Sequence, residues 1–262
     1  MKAAFSFRNI ISLFAVTLLL SSLTLAITFF RKSNPGSEAS SPHPRLILWA
    51  WERPTDLRFI DTQRIGVAFL GRSILLKSDK VLVRPRLQTL QLPAGTKVIA
   101  VARIETDRPN APDLSPAQRD VAARAIAELA LPEVSEIQID FDATQSQRNF
   151  YRDLIKEVRY RLSSHVRLSI TALASWCMSD DWLADLPIDE AVPMLFRMAG
   201  DGKQIVTRLN AGDDFNAGPC RQSYGISLDE PRPELLPARK LFVFNPDPWT
   251  EKSVREISES MK

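Results

Sequence analysis

Glu136-Ile137-Gln138-Ile139-Asp140-Phe141-Asp142 alternates polar and apolar side chains at every step. Period two places Gln138, Asp140 and Asp142 on one face of a strand and Ile137, Ile139 and Phe141 on the other. Two residues on, Thr144-x-x-Gln147 forms a capping box, and Phe150, Leu154, Val158 and Leu162 recur at spacing four behind it, so a helix follows directly. A strand covered by helices on its apolar face must turn its carboxylates toward an enclosed polar space, and the lumen of a barrel supplies one.

The flanking sequence repeats the alternation. Further strands are expected at Leu46–Trp51, Ile65–Leu70, Lys97–Glu105, Arg167–Leu173, Ala191–Phe196 and Lys240–Phe244, with a shorter one at Tyr224–Ile226. Ser115-Pro116-Ala117-Gln118 opens another helix with a capping box and proline at its first position, and Pro132 closes it. Ile74–Val83 reads as an inserted hairpin turning at Ser78-Asp79. Eight β segments alternating with helices predict a small α/β fold, a (β/α)8 TIM-type barrel over residues 45–262, with an open doubly wound sheet as the alternative.

Ahead of the barrel, Ile10 to Phe30 is a run of 21 residues without a charge, flanked by Lys2, Arg8, Arg31 and Lys32. That is long enough for a transmembrane helix, so residues 1–32 are read as a signal anchor and the Ser/Pro-rich residues 33–44 as a linker. The expected address is the inner membrane, single-pass, with the body in the periplasm. Cleavage near Thr24 and Ala26 would instead yield a secreted protein. The formal net charge of +3 belongs to this end, because residues 45–262 hold 30 basic and 30 acidic side chains. A neutral body gives no electrostatic case for nucleic acid. With 45% hydrophobic and 25% charged residues the body can bury a core, which excludes disorder as its main state.

The chemistry is narrowed by what is scarce. His43 and His165 are the two histidines, and neither CxxC, HExxH, GxGxxG nor GxxxxGK[ST] occurs. No metal or cofactor is therefore expected. Asp180-Asp181, Asp213-Asp214 and Asp229-Glu230 are read as solvated loop carboxylates. Cys177 and Cys220 are compatible with one disulfide or with two free thiols.

Carboxylates, arginines and tryptophans remain, and they cluster at predicted strand ends. Asp142 is the first candidate for acid or base, Asp140 for orienting it, and Glu105 or Glu52 for a second carboxylate. Trp49, Trp51 and Trp176 offer flat faces for sugar stacking, and Arg103, Gln138, Met194, Arg197 and Asn245 complete the candidate binding set. The competing reading is a structural network, in which Arg103 and Arg197 simply neutralise the carboxylates.

The runs Leu168–Cys177 (LSITALASWC), Asp189–Met198 (DEAVPMLFRM) and Gly225–Pro231 (GISLDEP), with Cys220, resemble a bacterial family of unknown function (domain of unknown function 3142) over most of residues 45–245. That resemblance implies a TIM-barrel domain and no particular reaction. The 136–142 strand also resembles chitinase-type glycoside hydrolases, whose D-x-x-D-x-D-x-E falls here on Ser135, Gln138, Asp140 and Asp142. Three of those four positions depart, which implies altered chemistry. The expected function is a membrane-anchored, glycoside-hydrolase-like barrel acting on an envelope or external polysaccharide. The alternative is a non-catalytic glycan-binding or envelope-assembly protein on the same fold.

Overall fold

The computed structural model describes residues 44–261. The proposed anchor, and all of the linker but Pro44, lie outside the described residues. Among the described residues no helix is long and apolar enough to cross a membrane.

The strands are β1 (Leu46–Ala50), β2 (Thr55–Asp56), β3 (Ile65–Lys77), β4 (Lys80–Pro85), β5 (Leu90–Gln91), β6 (Val98–Thr106), β7 (Val134–Asp140), β8 (Arg167–Leu173), β9 (Glu190–Met194), β10 (Ser223–Ser227) and β11 (Lys240–Phe244). Eight of them run parallel in the order β1, β3, β6, β7, β8, β9, β10, β11, and β11 returns to β1 through Leu46↔Leu241. The sheet is a closed eight-stranded barrel of the TIM type. β2 and β5 form a small parallel pair apart from it.

The helices are α1 (Pro116–Ala127), α2 (Arg148–Arg161), α3 (Ala174–Ser179), α4 (Gly202–Asn210) and α5 (Glu251–Glu259). The Ser115 capping box opens α1 as its sequence predicts, and the Thr144 box opens a short 3-10 turn that runs into α2. α2 buries Phe150, Tyr151, Leu154, Ile155 and Val158 against the barrel wall. The strict strand-helix alternation expected from sequence is relaxed, however. Among the described residues no helix lies between β1 and β3, β3 and β6, or β10 and β11. After β3 its place is taken by β4, which pairs antiparallel with β3 from Lys77↔Lys80 to Arg72↔Pro85. The expected boundary at Leu70 is absent for the same reason: β3 runs on past a register shift between Leu70 and Arg72. Gly71 sits at that shift, where an added Cβ would come within 2.8 Å of Leu129 Cδ2.

The alternation in β7 does what its period demands. Ile137, Ile139 and Phe141 join the large core under the helices, while Glu136, Gln138 and Asp140 turn inward. A second core fills the lumen with Ile47, Trp49, Ala68, Ile99, Val101, Val192 and Phe242. Gly225 makes room beside it, since a Cβ there would meet Met194 Sδ at 2.8 Å.

At the N-terminal end the lumen is closed by charge. Ser169 Oγ donates to Glu136 Oε1 at 2.5 Å, Arg167 Nε to Glu136 Oε2 at 3.3 Å, and Lys240 Nζ to the fully buried Glu190. Burial pushes the Glu136 carboxyl upward, Lys240 opposes this, and Glu190 adds to it.

Candidate active site

The opposite, C-terminal end of the barrel is open. A cavity of about 470 Å³ is lined there by Trp49, Trp51, Glu52, Arg103, Glu105, Asp140, Asp142, Thr171, Met194, Phe196, Arg197 and Phe244, among others. Its volume lies within the ~300–1,000 Å³ usual for small-molecule sites. It is also the end at which parallel barrels carry their reactive groups, because the βα loops converge there.

One side of the cavity is acidic. Asp140, at the end of β7, is held at both oxygens: Thr171 Oγ1 donates to Oδ1 at 2.8 Å and Arg103 Nη1 to Oδ2 at 2.7 Å. Arg103 Nε donates in turn to Glu105 Oε1 at 3.2 Å. Asp142 lies one strand repeat further toward solvent, and among the described residues it enters no ion pair or hydrogen bond. Burial and the charge of Asp140 raise its pKa, with Arg103 opposing. Two carboxylates two positions apart thus stand in different environments: one ends β7 and is clamped, the other lies past the strand, open and with its pKa raised.

The facing side is aromatic. Phe196 and Phe244 stack with centroids 5.8 Å apart and planes 5° from parallel, and Trp51 meets Phe244 edge-on at 6.2 Å. Arg103 lies 5.3 Å from the Trp51 ring centroid, and Arg197 lies 5.2 Å from that of Phe244. Arg197 is in the left-handed region at φ 51°, and its amide donates to Glu230 Oε2 at 2.9 Å, which ties the loop after β9 to the loop after β10.

Trp49, Trp51, Glu52, Arg103, Glu105, Asp140, Asp142, Met194 and Arg197 are therefore brought together, and three candidates are not. Trp176 turns away because α3 begins at Ala174 and carries the indole into the outer core. There it packs against Trp182 at 4.9 Å, under the Arg148 guanidinium. Asn245 closes a turn, its Oδ1 accepting from the Asp247 amide at 3.1 Å. Gln138 lies fully buried below the cavity, accepting from Trp49 Nε1 at 3.3 Å and donating to Ser169 Oγ at 3.4 Å. It supports the floor and cannot reach a ligand. Cys177 and Cys220 form a disulfide, with Cα atoms 5.8 Å apart.

Sequence reasoning missed three contributors. Phe196 and Phe244 end apolar runs and read as core, and only the closed barrel brings them face to face. Arg86, just past β4, directs its guanidinium to the carbonyls of Trp51 at 2.6 Å, Arg53 at 2.7 Å and Ala50 at 3.2 Å, and so holds the loop that carries Trp51 and Glu52. Its one local partner, the Gln88 carbonyl, says nothing of this role, since the three carbonyls of the β1 loop lie more than 30 residues away.

Among the described residues no cluster of His, Cys, Asp or Glu could hold a metal ion. No family model matches the chain, and no curated protein matches it. Among solved structures it is similar to the chitinase domain of the spore coat protein CotE from Clostridium difficile, at 17% identity and a TM-score of 0.37. The match covers 60% of this chain and 51% of that one, so it spans about half the length of that chain.

Proposed function

We propose that this chain is a glycoside-hydrolase-like barrel acting on an envelope or external polysaccharide, with its body held outside the cytoplasm by the apolar run Ile10–Phe30. Membership of the bacterial family of unknown function, resting on the runs 168–177, 189–198 and 225–231, is part of the same proposal. One observation carries the catalytic reading: an open carboxyl with a raised pKa, Asp142, stands beside a clamped one, Asp140, across the cavity mouth from a stacked aromatic wall. Asp142 acts as the general acid and protonates the glycosidic oxygen. Asp140, oriented by Arg103 and Thr171, places negative charge near the developing oxocarbenium ion. Glu105 or Glu52 serves as the second carboxylate, and Trp51, Phe196 and Phe244 present apolar faces to the sugar ring.

The test incubates the full-length chain with a panel of polysaccharides and measures new reducing ends. Asp142→Asn is expected to lower release on the order of 100-fold. Release from none of the substrates, or equal release by the variant, removes the catalytic role. The binding-only alternative is favoured by the Arg103 ion pairs, which occupy Asp140 and Glu105. It predicts retention on a glycan column without turnover. For the address, the full chain is expected in the membrane fraction after an alkaline carbonate wash, and a chain lacking residues 1–32 in the soluble fraction.

A further inference from the structure

The hairpin that stands in for the helix after β3 also raises the barrel wall at its open end. β7 stops at Asp140, level with Arg103 on β6, whereas β3 and β6 run on together as far as Leu76↔Thr106. Along this extension Ile74 and Leu76 join the large core with Ala122, Ala123 and Ile126 of α1, while Ser73 lines the cavity. Period two puts Leu75 on the same face as Ser73. The pairing with β4 sets Leu82 opposite Leu75 and Arg84 opposite Ser73, and on the other side β6 sets Glu105 beside Leu75. The projecting face is therefore a ledge that continues the cavity wall, since Ser73, Arg103 and Glu105 belong to both.

Two features of the ledge are unused within the protein. Leu82 is exposed and Leu75 half-buried, and as a cross-strand pair about 5 Å apart they offer an apolar patch the breadth of one sugar ring. Arg84 is exposed about 7 Å along β4 from Leu82, and among the described residues its side chain enters no ion pair or hydrogen bond. The neighbouring charges are answered or remote. Lys77 pairs with Asp107 at 3.1 Å, Glu105 with Arg103 at 3.2 Å, and Lys80 sits at the far tip next to Asp79.

On the reading that the cavity binds glycan, we propose that the ledge holds a further unit of the same chain and that this unit is a uronate. Its ring lies on Leu75 and Leu82, and the Arg84 guanidinium donates two parallel bonds to its carboxylate. A carboxylate inside the cavity would instead stand beside Asp140 and Glu105, with Arg103 already paired to both, so the unit there is neutral. The substrate class is an acidic heteropolysaccharide in which neutral sugars alternate with uronates.

The experiment titrates the full-length chain in detergent with oligosaccharides of alternating glucuronate and N-acetylglucosamine and with their carboxyl-reduced counterparts, each as a disaccharide and a hexasaccharide. At low salt the acidic hexasaccharide is expected to bind on the order of tenfold tighter than its reduced form, with the advantage shrinking as salt rises. The disaccharides, too short to fill cavity and ledge together, differ little. Arg84→Gln brings the hexasaccharide ratio close to one, and Leu82→Ser weakens both hexasaccharides alike. Both side chains are exposed, so both variants are expected to melt with the parent protein. Equal binding of the acidic and reduced hexasaccharides, or a ratio unchanged in Arg84→Gln, overturns the ledge assignment while the glycan reading stands. Binding of neither hexasaccharide overturns it too, and release from the polysaccharide panel then decides whether the glycan reading survives.

Discussion

Asp140 ends β7 and Asp142 lies two positions past it, and the difference between them lies in their neighbours. Asp140 has Arg103 and Thr171, whereas Asp142, exposed at the cavity mouth, is raised in pKa first by desolvation from the surrounding wall and then by the Asp140 charge. In the folded chain Asp142 thus keeps its proton to higher pH than in the unfolded chain. Between those two pKa values the folded state binds more protons, so stability falls as pH rises through the window. Asp142→Asn is accordingly expected to melt with the parent protein at pH values below the window and at a higher temperature above it. Melting curves across pH check this, and a variant less stable at neutral pH would contradict it. Trp51→Ala removes one face of the wall and the ring under Arg103, and is expected to weaken glycan binding about tenfold while thermal unfolding shifts little. Calorimetric titration beside a melting curve separates the two effects. The identity and inward direction of Asp140 were legible in the alternation of residues 136–142. The pairing with Arg103 was carried by the competing network reading; the Thr171 half of the clamp was not, because Thr171 comes from another strand, 31 residues away.

The elements around the mouth are fastened by contacts that span the chain. The Cys177–Cys220 disulfide joins α3 to the turn before β10 across a separation of 43 residues. Replacing both cysteines by serine is expected to destabilise the fold by roughly 2–4 kcal/mol, read by urea denaturation, since the cross-link restricts the unfolded chain. The loop after β1 hangs on Arg86, and Trp249 Nε1 donates to the Trp49 carbonyl at 2.8 Å from the stretch before α5. Arg86→Met leaves three partly buried carbonyls short of a donor. A loss of about 1–3 kcal/mol in the same assay is expected, together with weaker glycan binding as Trp51 and Glu52 lose their support. The capping boxes at Ser115 and Thr144 were readable because a cap is a local device spanning four residues. The hairpin at Ile74–Val83 was readable as well, but its continuity with β3 was not, since the same apolar residues also pair with β6. Trp176 shows the converse error. The strand ends at Leu173 as expected, but the indole expected at its mouth is turned outward by the helix that starts at Ala174.

For the molecule as a whole, the barrel is closed by charge at one end and left open at the other. At the closed end Lys240 answers Glu190, which is fully buried, beside the Glu136–Ser169–Arg167 group. Lys240→Met leaves that carboxylate only Arg167 at 3.6 Å and is expected to cost about 3 kcal/mol, whereas the double variant with Glu190→Gln should regain most of it. Chemical denaturation of the pair and the singles decides this, and an additive double variant would show that the two groups do not interact. The sequence by itself determined the strand and helix segments around β7, the faces of that strand, the N-terminal apolar run and the neutrality of the body. Each of these depends on neighbouring residues or on composition. Tertiary structure alone decided that the sheet closes, that Phe196 meets Phe244, that Arg86 holds Trp51, that Trp176 and Asn245 leave the cavity, and that Cys177 pairs with Cys220. Those outcomes depend on strands distant in sequence meeting around one lumen, and no local periodicity encodes which partners they meet.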